Sequence, residues 1–196
     1  LDTLVAPSHY QSSKPMHEQK EGYTPSARAS SFTYKNLQTY FTNSAKQEYH
    51  VVDGFLKLYR PKTQFIAGAE EIEGLVREAF EKTTQETFPD NIVVRVLEKE
   101  DMKAVHAGTG SNWSDNIQGF SINSKPNKQI FVKKAELDRV MVVVGHEIGH
   151  VLTSALQNPV DEEAKAFAFE VAWVETIMKY NIANLRNNLT LDFVPA

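Results

Sequence analysis

The spacing of apolar residues changes character along the chain. Through residue 33 or so, a stretch rich in Ser, Pro, Gln, Lys and Thr, apolar residues follow no period, as expected of a loosely held arm. From Leu37 the steps become three and four, with Leu37, Tyr40, Phe41, Ala45 and Tyr49 on one side of a predicted helix. Val51 to Tyr59 is a second apolar stretch, closed by Arg60-Pro61. Residues 1–62 therefore read as an N-terminal arm with an accessory helical segment, and residues 63–196 as the main body.

In that body, Ala69 to Thr84 places Ile72, Leu75, Val76, Ala79 and Phe80 on one helical face with charges opposite. Phe88-Pro89-Asp90-Asn91 is a turn, and Ile92 to Leu97 is a β-branched run suited to a buried strand. A Gly-rich loop from Ala107 to Asn116 leads to two short strands, Ile117 to Asn123 and Gln129 to Lys133, joined by a turn at Ser124-Lys125-Pro126-Asn127. Two long helices follow, Ala135 to about Gln157 and Val160 to about Asn184. Asn158-Pro159 separates them, because the residue before Pro avoids helical angles while Pro suits a first turn. The predicted fold is α+β: a small, twisted, mostly antiparallel sheet packed on an αα-hairpin that bends near residues 158–160.

Composition narrows the chemistry. The 196 residues, 41% hydrophobic and 23% charged, suit one soluble globular domain, and no apolar run approaches the roughly 18 residues of a membrane span. Net charge is -4 without a basic cluster longer than a pair, which disfavours nucleic acid as a partner. Zero cysteines exclude disulfides, a thiolate nucleophile and sulfur-ligated zinc, so any metal has to be held by His and carboxylate. Lack of cysteine suits a reducing cytoplasm, the expected compartment. Leu1 to Val5 lacks signal-peptide features, although a chain that does not begin with Met is also compatible with a removed leader.

One motif carries chemistry. His146-Glu147-Ile148-Gly149-His150 is an HExxH sequence inside a predicted helix, where residues four apart share a face, so both imidazoles can reach one Zn²⁺ with Glu147 beside it. Apolar residues surround it, Val140 to Val144 before and Ile148, Val151, Leu152, Ala155 and Leu156 within or after, so this helix is central. Two imidazoles and a carboxylate in such a helix are costly unless something satisfies them.

A catalytic zinc needs a third protein ligand. In an antiparallel hairpin bent near residue 159, the position level with His150 falls near 168–170, which favours Glu170. A helical wheel places Val160, Ala164, Phe167, Val171, Val174 and Met178 on the buried side, with Glu163 and Glu170 at its edge. Glu163 is the alternative ligand, or a partner for a ligating histidine. Asp161 and Glu162 stand at a helix start, where the dipole favours acids.

HEIGH followed by Glu170, together with Asp161-Glu162-Glu163-Ala164-Lys165-Ala166-Phe167-Ala168-Phe169-Glu170, resembles the gluzincin metallopeptidases, of which thermolysin is the best known. The compact α+β body looks most like the archaeal minigluzincins, over roughly residues 65–196. The resemblance implies zinc held by His146, His150 and a glutamate from the following glutamate helix, Glu147 as general base, peptide-bond hydrolysis and, in some members, a latent form. Gluzincins commonly carry an acid four residues after the ligand glutamate; here Val174 follows Glu170 and Phe167 follows Glu163.

The expected function is thus that of a zinc-dependent metallopeptidase acting on a peptide or protein, with Zn²⁺ as cofactor and Glu147 taking a proton from the activated water. His106, Tyr180 and Arg186 are candidates for stabilising an oxyanion. Strand Ile117 to Asn123, with Gly119 at its centre, is a candidate cleft rim to which an extended substrate could add. Asp2, His9, His17 and Glu18 of the arm, or the tail from Leu191 to Ala196, are candidates for blocking the site in a zymogen. Asn112-Trp113-Ser114 and Asn188-Leu189-Thr190 match glycosylation sequons. The alternatives are a regulatory peptidase that cleaves one protein partner and a non-catalytic, zinc-stabilised interaction module.

Overall fold

The computed structural model describes residues 51–110, 112–123 and 126–192. Most of the expected arm, with Asp2, His9, His17, Glu18 and the helix from Leu37 to Tyr49, lies outside the described residues, as do residues 193–196.

In chain order the described elements are helix α1 (Val51–Gly54), strand β1 (Phe65–Ile66), a 3-10 turn (Ala69–Glu71), helix α2 (Glu73–Thr84), strand β2 (Ile92–Leu97) and helix α3 (Lys99–Ala107). Strands β3 (Gly119–Ile122), β4 (Lys128–Lys133) and β5 (Ala135–Glu136), helices α4 (Leu137–Val151) and α5 (Pro159–Tyr180) and a 3-10 segment (Ile182–Asn187) complete them. The fold is α+β.

β1 and β5 form a two-stranded antiparallel pair, and a second sheet has the order β2-β4-β3. β3 runs antiparallel to β4 with Phe120 opposite Phe131, whereas β2 is parallel to β4, from Ile92 opposite Lys128 to Leu97 opposite Lys133. Two of the three pairings are antiparallel, as expected. The parallel one requires a crossover, and α3 is part of it. Nothing in the hydrophobic pattern announces α3, since only Met102 and His106 of its nine residues are buried.

Side chains alternate across β4: Ile130 and Val132 join the main core beneath α4, while Phe131 is buried on the other face. That other face belongs to α3, because His106 packs edge-on to Phe120 and Phe120 stacks on Phe131.

α4 is buried on nearly all sides, with Val140 to Val144, Ile148 and Val151 in the core. Its first turn holds Asp138, whose carboxylate accepts from Arg60 (2.6 Å), Asn188 (3.0 Å) and the backbone N–H of Arg139 (2.8 Å), tying both ends of the described chain to the helix start. Asn188 is 2% exposed and its side-chain nitrogen also donates to the Pro61 carbonyl, so this sequon offers no free amide for a glycan in the fold.

α4 ends at Val151, six residues before the expected Gln157. Its last carbonyls are taken by side chains from elsewhere. Asn123 donates to His150 O (3.1 Å) and Thr153 O (2.9 Å), Lys128 to Val151 O, and Lys165 to His150 O (3.3 Å). Donors at a helix C-terminus satisfy carbonyls that lack an intrahelical partner, and here they fix where the helix stops. α5 then begins as expected, with Pro159 in its first turn and the Asn158 side chain accepting from Val160 N at 3.0 Å.

α4 and α5 approach closely because Gly145 and Gly149 lack side chains. A Cβ on Gly145 would collide with the Trp173 indole, whose N–H donates to Met141 O at 2.8 Å; one on Gly149 would lie 2.7 Å from Ala166 Cα. The buried stripe of α5 is accordingly Ala166, Glu170, Trp173, Val174 and Ile177. This corrects the expected stripe: Val160 is 52% exposed, and Glu170 sits at the centre of the buried face, not at its edge.

Candidate metal centre

His146 and His150 stand one turn apart on α4 with their Nε2 atoms 3.1 Å from each other. Each Nδ1 meets a carboxylate: His146 with Glu170 Oε2 at 3.0 Å, His150 with Glu162 Oε1 at 2.9 Å. If each Nδ1–H is donated to its carboxylate, each Nε2 presents a lone pair. Two lone pairs at this separation repel unless a cation lies between them.

Glu163 supplies the third donor. Its Oε2 is 3.4 Å from His146 Nε2 and its Oε1 is 3.6 Å from His150 Nε2. His146, His150 and Glu163 form a group whose ligand atoms all lie within 4.8 Å of one another. A tetrahedral zinc with bonds of about 2.0–2.1 Å has ligand–ligand edges of about 3.3–3.4 Å, so these separations fit the ion.

The two candidate third ligands thus stand in exchanged places. Glu163 faces the Nε2 atoms, and Glu170, fully buried, stands behind His146 as its hydrogen-bond partner. The expectation of Glu170 as level with His150 assumed a bend at residue 159. Because α4 stops at Val151, His150 is one residue from the end of its helix and lies opposite the first turns of α5, while Glu170 lies opposite His146.

Glu162, expected only as a helix-start acid, is tied into the site. It accepts from Leu156 N at 2.7 Å through Oε2 and pairs with Lys165 at 2.9 Å through Oε1. Burial pushes its carboxyl up, but the Leu156 N–H, His150 and Lys165 together hold it down at about 2. No pattern of residue spacing announces this role.

Glu147 is buried beside β3, with Ser121 hydrogen-bonded to it, and a Cβ on Gly119 would lie 3.1 Å from its carboxylate oxygen. Burial raises its pKa above the ordinary 4.5, and likewise that of Glu170, against the pull of the nearby histidines. Burial would push Glu163 up too, yet the bond to His146 and the charges of both histidines leave it lowered. His146 is disfavoured as a cation by burial, but Glu170 and Glu163 outweigh that and raise it well above 6.5. The carboxylates around the imidazole pair favour positive charge there, be it a proton or a metal ion.

The group opens into a groove of about 440 Å³ between α4, the start of α5 and the edge of β3 that no other described strand pairs with, lined by Gly119, Ser121 and Ala155 among others. Of the candidate oxyanion partners, His106 lines this groove. Tyr180 does not; it closes the far end of α5 against Lys82 and Lys179. Arg186 is there as well, donating to Met178 O and Lys179 O at 2.8 Å. Leu189 bridges to Leu56 and Leu191 packs against the core, and the described part of the tail, Leu191 and Asp192, does not line the groove. Among the described residues no helix is long and apolar enough to cross a membrane. Compared with known protein families, curated proteins and solved structures, the chain gives no significant match.

Proposed function

We propose that the chain is a zinc-dependent metallopeptidase in which His146, His150 and Glu163 hold the metal and Glu147 is the general base. One observation carries the reading: a three-donor group with a buried carboxylate next to it on the same helix, set in the wall of an open groove. Structural zinc takes four protein ligands, whereas catalytic zinc takes three and keeps a position for substrate or water.

Bound zinc would supply a Lewis acid that acidifies water and polarises a peptide carbonyl. The chain's own residues do the rest. Glu147, its pKa raised by burial, accepts the water proton on a carboxylate oxygen and returns it to the nitrogen that leaves as the C–N bond breaks. Glu170 and Glu162 hold the two Nδ1–H groups and so fix which imidazole nitrogen faces the metal. Among the described residues β3 is an edge strand, and an extended peptide can pair with the main-chain groups of that edge beside Glu147. That pairing uses backbone and so admits many sequences.

The test is zinc content and hydrolysis of a peptide library by wild type and Glu147→Gln. The variant is expected to bind zinc and keep its melting temperature while losing hydrolysis by about 10²- to 10⁴-fold. Zinc bound with no hydrolysis by wild type would favour the interaction module instead. A library left uncut, with one protein partner cleaved, would favour the regulatory peptidase.

A further inference from the structure

Hydrogen bonding decides which main-chain groups of β3 look into the groove. Lys128 N, at the start of β4, donates to Asn91 O (2.8 Å) and Lys134 N, just past its end, donates to Leu97 O (3.0 Å), both on the β2 side. On the other side Lys133 N donates to Gln118 O at 2.9 Å. The N–H and C=O of one strand residue share a side, and successive residues alternate. Odd-numbered residues of β4 therefore turn toward β3, where Phe131 is level with Phe120. Gly119 and Ser121 are one step from Phe120, so their main-chain groups turn the other way, to the edge that no other described strand pairs with. Both residues line the groove.

Across the strand, the same two residues face the general base. A Cβ on Gly119 would lie 2.4 Å from Val143 Cγ1 and 3.1 Å from Glu147 Oε1, so it is a glycine at 119 that lets β3 come this close to α4. Ser121, two residues on and hence on the same face, is hydrogen-bonded to Glu147. A hydroxyl meeting a carboxylate is the donor, and a carboxylate held through one oxygen keeps the other for a proton. Glu147 is 5% exposed, so little water competes with the serine.

We propose that Ser121 is a positioning residue: its hydroxyl holds the Glu147 carboxylate in place, while its main chain lies on the edge to which the substrate pairs. One residue then sets the register between the peptide and the base that acts on it. Small errors in such a register are costly in rate. The proposal rests on the peptidase reading and adds to it the residue that aligns base with substrate.

The experiment uses the zinc-loaded full chain and a peptide taken from the library that wild type cleaves. Ser121→Ala is expected to lower kcat about 10-fold or more with KM within about 2-fold, because the main-chain groups that pair with substrate remain. Ser121→Thr, which keeps the hydroxyl, should restore most of the loss. Zinc affinity should be unchanged in both. In a Glu147→Ala background, followed by long digestion, adding Ser121→Ala should cost nothing further. Melting temperatures of the zinc-free proteins should be non-additive for the same pair, since the second substitution removes a contact already lost. A folded Ser121→Ala protein with wild-type kcat, a loss that persists undiminished without Glu147, or additive melting shifts would overturn the positioning role and leave the peptidase reading in place. A wild type that binds no zinc and cuts no library member would overturn both.

Discussion

Glu170 Oε2 lies 3.0 Å from His146 Nδ1, across the imidazole ring from the Nε2 that meets His150. One side chain of α5 therefore works behind a histidine, while another, Glu163, works in front of both. A carboxylate four residues after Glu163 would lie one turn on, on the same face of α5. From Glu163 that position is Phe167, and Glu170, one turn further along the helix, stands beside His146 instead.

This arrangement ranks two substitutions. Glu163→Ala removes a donor from the three-residue group, and Glu170→Ala removes only the support of one imidazole. Loss of such a support typically lowers metal affinity by about 10- to 100-fold. The expected order is a larger fall than that for Glu163→Ala and a fall within it for Glu170→Ala, measured by competition against a zinc chelator. The reverse order would return the ligand role to Glu170.

Glu162 predicts a similar effect on the other histidine. Its carboxylate holds His150 Nδ1 while it is itself held by Leu156 N and Lys165. Glu162→Ala should weaken zinc by about 10- to 100-fold. A simple helix-start acid would produce no such change in metal affinity, so unaltered zinc binding by a folded Glu162→Ala protein would remove Glu162 from the site.

That His146 and His150 share a face was legible from sequence because its signal is local: the two are four apart on one helix, and no tertiary detail alters that. Which of Glu163 and Glu170 faces their Nε2 atoms was not, because that depends on where α4 stops. That stop is set by Asn123 and Lys128 from the β3–β4 region and by Lys165 from the next helix, and none of them is recognisable as a cap in the sequence. The strand pattern from Ile92 to Leu97 was read to the residue, but its parallel pairing was not, since the crossover helix α3 buries only two side chains. Tyr180 and Arg186 could be placed on a helix and beyond its end from sequence; that Arg186 caps α5 at the end remote from Glu163 is a tertiary fact.

Glu71 sets an acid-side dependence of stability away from the metal. Its carboxylate accepts from Ala67 N (2.7 Å), Gly68 N (2.9 Å) and Gln64 Nε2 (2.6 Å), and the two backbone N–H groups hold its pKa below the ordinary 4.5. A carboxyl lowered in the folded state binds fewer protons there than when unfolded, so its contribution is fully present above 4.5 and is lost as pH falls through the folded value. Glu71→Gln should therefore melt below wild type at pH 7, with the gap narrowing toward pH 3. A gap that stays constant across this range would show that the charge of Glu71 is not what stabilises the turn.

The close approach of α4 to α5 can be tested with two glycine substitutions of opposite sign. A Cβ at Gly149 would lie 2.7 Å from Ala166 Cα and 2.8 Å from Ala166 O, and because these are backbone atoms the helices must separate to admit it. Overpacking of this kind costs about 1–3 kcal/mol. The separation also draws Glu163 away from His146 and His150, so Gly149→Ala should lower both the melting temperature and zinc affinity. Gly74 in the first turn of α2 has nothing within 4 Å of an added Cβ, and its replacement by alanine should stabilise by up to about 1 kcal/mol with no change in zinc affinity. If Gly149→Ala lowered stability but left zinc affinity at the wild-type value, the interhelical distance would not be what positions Glu163.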